Sequence, residues 1–220
     1  VSKPQVITKI IDDQVYEPVE RMTIDVPEEF TGAVMEGIGV RKAELTNMSP
    51  SANGYCRLEF KIPARGLVGY RDKLLTETRG TAVLNHVFDC YEPYKGDIPS
   101  RNRGSLVAYE EGDAVSYGIF GAQERGIMFI SPGDTVYEGM VVGENNRQED
   151  IVVNVCRKKQ ATNMRASGSD EALRLTPPKV MSLEQCIDFI ADDELLEVTP
   201  KHLRIRKRIL HADLRLKKKK

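Results

Sequence analysis

The chain has little of what marks a membrane protein or an enzyme. No apolar run approaches the roughly 20 residues that a membrane-spanning helix needs. The start VSKPQV is neither a charged-then-apolar signal peptide nor an initiator methionine, which leads us to expect a cytoplasmic chain cut from a longer one. Cysteine is sparse. Cys56, Cys90, Cys156 and Cys186 lie far apart without a Cys-x-x-Cys pair, and only three histidines accompany them. This spacing argues against a zinc site and reads all four cysteines as small core residues in a reducing compartment. No Gly-x4-Gly-Lys-Ser/Thr phosphate loop exists; the nearest spacing, Gly32 to Gly37, is followed by Ile38 inside a predicted helix. His-Glu-x-x-His and Gly-x-Ser-x-Gly are missing too, and Ser167 and Ser169 have no histidine near them in sequence. The expectation is a chain without catalytic residues, cofactor or metal of its own.

What is present is an ordinary globular balance: 220 residues, 40% hydrophobic and 30% charged, enough for two modest cores. The formal net charge of −1 conceals an asymmetry, because residues 201–220 carry +9 and leave −10 for the remainder. Within that basic end, Leu203, Ile205 and Ile209 interleave with Arg204, Arg206 and Arg208. The alternation predicts a strand with one basic face, followed by a loose end from Arg215 to Lys220.

Breakers at Pro93, Gly96, Pro99 and Gly104 divide the chain in two. Before them the pattern is strand, helix, strand, strand, helix, strand, the split β-α-β order of a ferredoxin-like sandwich. Met22, Ile24 and Val26 alternate with charged or polar neighbours; Pro27 opens a helix with Phe30, Val34 and Ile38 on one face. Asn53-Gly54 turns one strand into Cys56, Leu58, Phe60 and Ile62; a second helix places Leu67, Tyr70 and Leu74 together and ends at Gly80. Ala82, Leu84, His86, Phe88 and Cys90 alternate in a last strand, which makes His86 a core or sheet histidine.

After the breakers come short strands and turns, suggesting a small barrel or sandwich. The Pro132-Gly133-Asp134 turn also occurs in lipoyl and biotinyl carrier domains, but the carrier lysine is missing from VVGENNRQED. One helix is expected in MSLEQCIDFIADDE: Ser182 caps it, Gln185 completes a capping box, Met181 and Cys186 form a staple, and Leu183, Ile187 and Ile190 face the core. Asp192, Asp193 and Glu194 at its end read as a solvated face. The fold class is therefore α+β, a ferredoxin-like sandwich followed by a mainly β domain with one short helix.

The segment KKQATNMRASGSDEA has no apolar period that could bury it. It is an exposed loop in which Lys158, Lys159 and Arg165 offer charge, Gln160 and Asn163 offer paired donors and acceptors, and Gly168 lets the backbone turn. An ordinary solvated loop explains these residues; nucleic acid is the polyanion they would otherwise suit.

EPVERMTIDVPEEFTGAVMEGIGVRKAELTNM resembles the last domain of elongation factor G and its relatives. IPARGLVGYRDKLLTETRGTAVLNHVF, KKQATNMRASGSDEA, MSLEQ and LEVTPKHLRIRKR are similar to the carboxy-terminal half of the BipA/TypA family of ribosome-binding translational GTPases. The resemblance runs from about Val1 to Arg208. It implies that residues 1–15 end a preceding domain, 16–95 form a domain like elongation factor G domain V, 96–208 form the BipA-type domain, and 209–220 are a basic tail. GTP and Mg would belong to the intact protein, and ribosome assembly or stress-related translation to its role. The implied partners are rRNA and the acceptor end of A-site tRNA, with no membrane and a monomer off the ribosome. The implied RNA contacts are Arg157, Lys158, Lys159, Asn163, Met164, Arg165 and Ser167 in loop 157–170, and Arg204, Arg206, Lys207 and Arg208 on the basic strand. Met164 could insert against a base or ribose, but packing onto its own domain is the favoured use. At Ala43 in RKAEL, relatives of elongation factor G have glycine, so a positive φ there would cost about 1 kcal/mol. Two other readings stay open: part of an ordinary elongation factor, and a ferredoxin-like module that senses a small molecule.

Overall fold

In the computed structural model, which describes residues 1–51, 54–98, 101, 103–158 and 174–218, the chain forms two compact units, 4–100 and 101–220 with 1–3. The first is one antiparallel sheet under helices. Strand β1 (Lys9–Ile11) turns through Asp12 and Asp13, both at positive φ, into the long β2 (Gln14–Pro27). A 3-10 turn (Glu28–Phe30) leads into α1 (Thr31–Gly39), then β3 (Glu44–Pro50) and β4 (Tyr55–Pro63). Helices α2 (Ala64–Leu67) and α3 (Tyr70–Glu77) precede β5 (Val83–Pro93). The spatial order β5-β2-β4-β3 is that of the expected split β-α-β sandwich.

Period two carries Met22, Ile24 and Val26 of β2 and Cys56, Leu58, Phe60 and Ile62 of β4 to the helix side, where Val34, Ile38, Tyr70 and Leu74 meet them. Full burial of a side chain of this size stabilises by roughly 1.5–3 kcal/mol. The second predicted helix is broken, because Gly69 takes φ +69 between α2 and α3. The left-handed residue after α1 is Lys42, at φ 63, and Ala43 packs against the core instead, so alanine is not strained there. The outer half of β5 departs from the expected alternation. Phe88 is 56% exposed, and a register shift between Val19 and Glu20 makes Asp89 an extra residue in β5. His86 is exposed as well, its ring Nδ1 against the Glu20 carboxylate.

In the second unit, β6 (Ser105–Ala108), β7 (Gly112–Asp113), α4 (Ser116–Gln123), β8 (Gly126–Met128) and β9 (Thr135–Val136) precede β10 (Met140–Asn145) and β11 (Ile151–Val153). Then come α5 (Leu183–Phe189), β12 (Glu194–Val198), β13 (Leu203–Lys207) and α6 (Ala212–Lys218). A six-stranded sheet runs β11-β6-β10-β13-β12 with β8 also on β10, and β7 pairs β9 separately. Val1 exchanges two main-chain hydrogen bonds with Leu196 of β12.

Both faces of this sheet are covered. Val142 of β10 points into a core with Leu106, Ile119, Ala122 and Met128, whereas its neighbour Val141 joins Cys186, Ile190, Leu196 and Ile205 under α5. The α5 capping box is formed: Ser182 Oγ accepts from the Gln185 N–H, and the Gln185 side chain accepts from the Ser182 N–H. Leu183, expected in the core, is 39% exposed. Two helices escaped the sequence reading. SYGIFGAQ lacks a polar face, and α6 runs into the end from Arg215 that was expected to be loose. Cys56 and Cys186 are buried, but Cys90 and Cys156 are partly exposed, so only two of the four are core residues.

Candidate nucleic-acid interface

The basic strand and the expected loop both belong to the second unit. Beyond β11, Val155 accepts from the Val115 N–H, Cys156 follows, and Arg157 and Lys158 then turn out into solvent. They are the root of the loop; Lys159, Asn163, Met164, Arg165 and Ser167 lie outside the described residues.

On β13 the four predicted cations divide. Arg208 is exposed, with its N–H donating to the Asp193 carbonyl. Arg204 is half-buried and borders an open cavity of about 490 Å³. Lys179, Lys201 and His202 stand on the same border, over a floor that includes Phe129, Val141 and Met181. Sequence reading passed over Lys179 because it stands in a loop away from the basic strand, without a neighbouring cation to draw attention. Arg206 is half-buried and held: its Nε lies 2.7 Å from Glu197 Oε1. The other Glu197 oxygen accepts from the Tyr137 hydroxyl at 2.8 Å. Burial first, and then that carboxylate, push the Tyr137 phenol well above its ordinary value.

Lys207 has another use altogether. It is 1% exposed, and its Nζ lies 2.6 Å from Asp150, 2.9 Å from Glu194 and 3.0 Å from Asp193. Antiparallel pairing sets Glu194 directly across from Lys207, and strand alternation puts Lys207 on the buried side with Ile205. Its charge is buried and already matched by carboxylates, unlike the outward cation that the family resemblance implied. Of the acids expected as a solvated face, Asp192 and Asp193 are exposed, although Asp193 also meets Lys207, whereas Glu194 is not. Glu194 is fully buried and also takes Arg101 at 2.8 Å, the Ser105 hydroxyl at 2.7 Å and the Ala191 N–H at 2.9 Å.

The electrostatics of this cluster are self-consistent. Burial alone would raise the Glu194 carboxyl, but Arg101 and Lys207 outweigh it and hold the group below its ordinary value. Asp150 follows the same balance, lowered by Lys207 and the Ser105 N–H against burial. Burial would lower the Lys207 ammonium, and Glu194 and Asp150 overcome it and hold it above 10.5.

Among the described residues, no group of three His, Cys, Asp or Glu is placed to hold a metal ion, and no helix is long and apolar enough to cross a membrane. The second unit therefore offers outward cations at Arg157, Lys158, Lys201, Arg204 and Arg208, with Lys179 exposed but 3.9 Å from Glu144, on a scaffold whose inward charge is neutralised.

Comparison with known proteins follows the same division. The elongation factor G C-terminus matches residues 14–102, and the TypA/BipA C-terminal domain matches residues 103–212. The chain is 50% identical over 218 residues to the large ribosomal subunit assembly factor BipA of Bacillus subtilis, which covers 99% of this chain and 36% of the relative. It is 47% identical over 211 residues to the protein of that name from Salmonella typhimurium (96% of this chain, 35% of the relative) and 46% over 207 residues to that of Synechocystis (94% and 35%). The chain thus spans about a third of the length of these curated relatives. The second match separates it from an ordinary elongation factor, since it covers half of the residues with a domain of another kind: the chain belongs to the TypA/BipA family.

Proposed function

We propose that this chain is the RNA-contacting carboxy-terminal part of a translational GTPase that acts on the large ribosomal subunit during its assembly. The observation that carries the proposal is the outward cation set of the second unit, rooted at Arg157 and Lys158, in a chain whose relatives are named large ribosomal subunit assembly factors. Cations on a rigid sheet that keeps its own carboxylates occupied suit a phosphate backbone, because each pairing with a phosphate releases counterions. Arginine's planar fork pairs with phosphate or stacks on a base, whereas lysine acts as a point charge. Lys159, Asn163, Met164, Arg165 and Ser167 would extend the surface from the loop root toward the acceptor end of a tRNA. GTP hydrolysis and its Mg ion would belong to the share of the relatives' length that this chain does not span. The working compartment would be the cytoplasm, with the protein monomeric off the ribosome.

The test is cosedimentation of the chain with large ribosomal subunits across a salt series, beside an Arg157→Ala/Lys158→Ala variant. Salt-sensitive binding that the variant weakens supports the proposal. Binding that neither salt nor the variant changes would overturn it.

A further inference from the structure

Helix α4 turns a bare aromatic face to solvent beside the loop root. A Cβ on Gly118 would lie 2.3 Å from the Val155 carbonyl oxygen, so the helix sits flush on the chain leaving β11, with Ile119 and Ala122 buried beneath it. That seating sends Tyr117 and Phe120, 38% and 40% exposed, outward along one edge of an open groove of about 380 Å³. Arg125 and Arg157 line the same groove, both exposed, with Lys158 next in the chain and Glu124 the acid among the lining residues.

Gly121 supplies an independent observation. It lies inside α4, on the exposed side, and lines the groove; a Cβ there would meet nothing within 4 Å. Glycine weakens a helix interior relative to alanine, and the fold has no need of it at this position. What its bare Cα does is keep the floor of the groove open next to Tyr117 and Phe120.

Flat aromatic rings, an unobstructed floor and flanking guanidinium groups are the elements that single-stranded nucleic acid uses: each base lays a face on a ring while its phosphates meet cations. A duplex cannot use such a site, because its bases are already stacked on one another. We propose that this groove holds an unpaired base of single-stranded RNA on Tyr117 and Phe120, with Arg125 and Arg157 on the flanking phosphates. The inference rests on the RNA-binding function proposed above and adds the class of RNA and the place where it is held.

The test is fluorescence anisotropy of the full 220-residue chain with a labelled single-stranded oligonucleotide of unstructured RNA and with a duplex RNA of equal length. Tyr117→Ala/Phe120→Ala should weaken single-strand binding about tenfold, leave duplex binding unchanged and keep the salt slope, since no cation has been removed. Gly121→Leu should weaken single-strand binding likewise by filling the floor, without lowering the melting temperature, which guards against a folding defect. Arg157→Ala/Lys158→Ala should weaken both RNAs and flatten the salt slope. If only this last variant loses affinity, the stacking site is wrong and the RNA-binding function stands. If the unaltered chain binds neither RNA, the RNA-binding function fails and the stacking site falls with it.

Discussion

Two basic stretches of the second unit, Arg157-Lys158 and Arg206-Lys207-Arg208, look alike in sequence and end in opposite places. The first pair leaves the end of β11 and stays in water. In the second, strand pairing sends Lys207 inward among Asp150, Asp193 and Glu194, ties Arg206 to Glu197, and leaves Arg208 exposed. A run of cations is therefore no measure of a binding surface. What decides is whether the register of a neighbouring strand supplies carboxylates, and a paired cation has little left to offer a phosphate.

The comparison breaks most visibly at Lys207. Lys207→Ala leaves buried Glu194 with Arg101 as its remaining cation and should cost up to about 3–5 kcal/mol in urea unfolding, because a buried charge loses one of its two partners. A loss below about 1 kcal/mol would mean that the cluster is hydrated rather than buried.

The same cluster sets a pH window. Asp150 and Glu194 are held below their ordinary 3.8 and 4.5, so the stability they add is complete above those values and is lost as pH falls through the lower folded ones. Lys207 is held above 10.5, so its contribution is complete below 10.5 and is lost as pH rises through the folded value. Urea midpoints should thus fall at both acid and alkaline extremes, and the alkaline fall should be shallower in the Lys207→Ala chain.

Ser182→Ala sharpens the comparison from the side of α5, whose Cys186 and Ile190 share a core with Ile205 of β13. Losing the cap should cost about 1 kcal/mol while RNA affinity stays unchanged. An unaltered melting curve would mean that the capping box adds nothing in solution.

The smallest effect on stability belongs to Arg157→Ala/Lys158→Ala. The melting curve should move by less than about 0.5 kcal/mol, whereas the salt slope of RNA binding should drop by about one for each phosphate that no longer meets a cation. A large destabilisation would show that these side chains support the fold rather than a ligand.

Local signals predicted most of the first unit. The alternation of Met22, Ile24 and Val26, and the four-residue recurrence of Val34 and Ile38, rest on periodicity, as the capping box at Ser182 in the second unit rests on bonds within one turn. What stayed illegible depended on partners distant in sequence. Helix α4 went unseen because its outward face carries Tyr117, Phe120 and Gly121 rather than charges, and its amphipathic pattern is blurred. The bulge at Asp89, where β5 carries one residue more than β2 between Phe88 and Cys90, moves Cys90 off the face it was expected to share with Leu84, and the alternation of β5 does not encode it.

By itself the sequence determined the order of most elements and the cap of α5, because hydrophobic period and turn chemistry act over a few neighbouring residues. Only the tertiary structure decided which cations are used up. Lys207 meets Asp150 and Glu194 across 57 and 13 positions of chain, and that meeting follows from strand register and burial, which exist only once the sheet has formed.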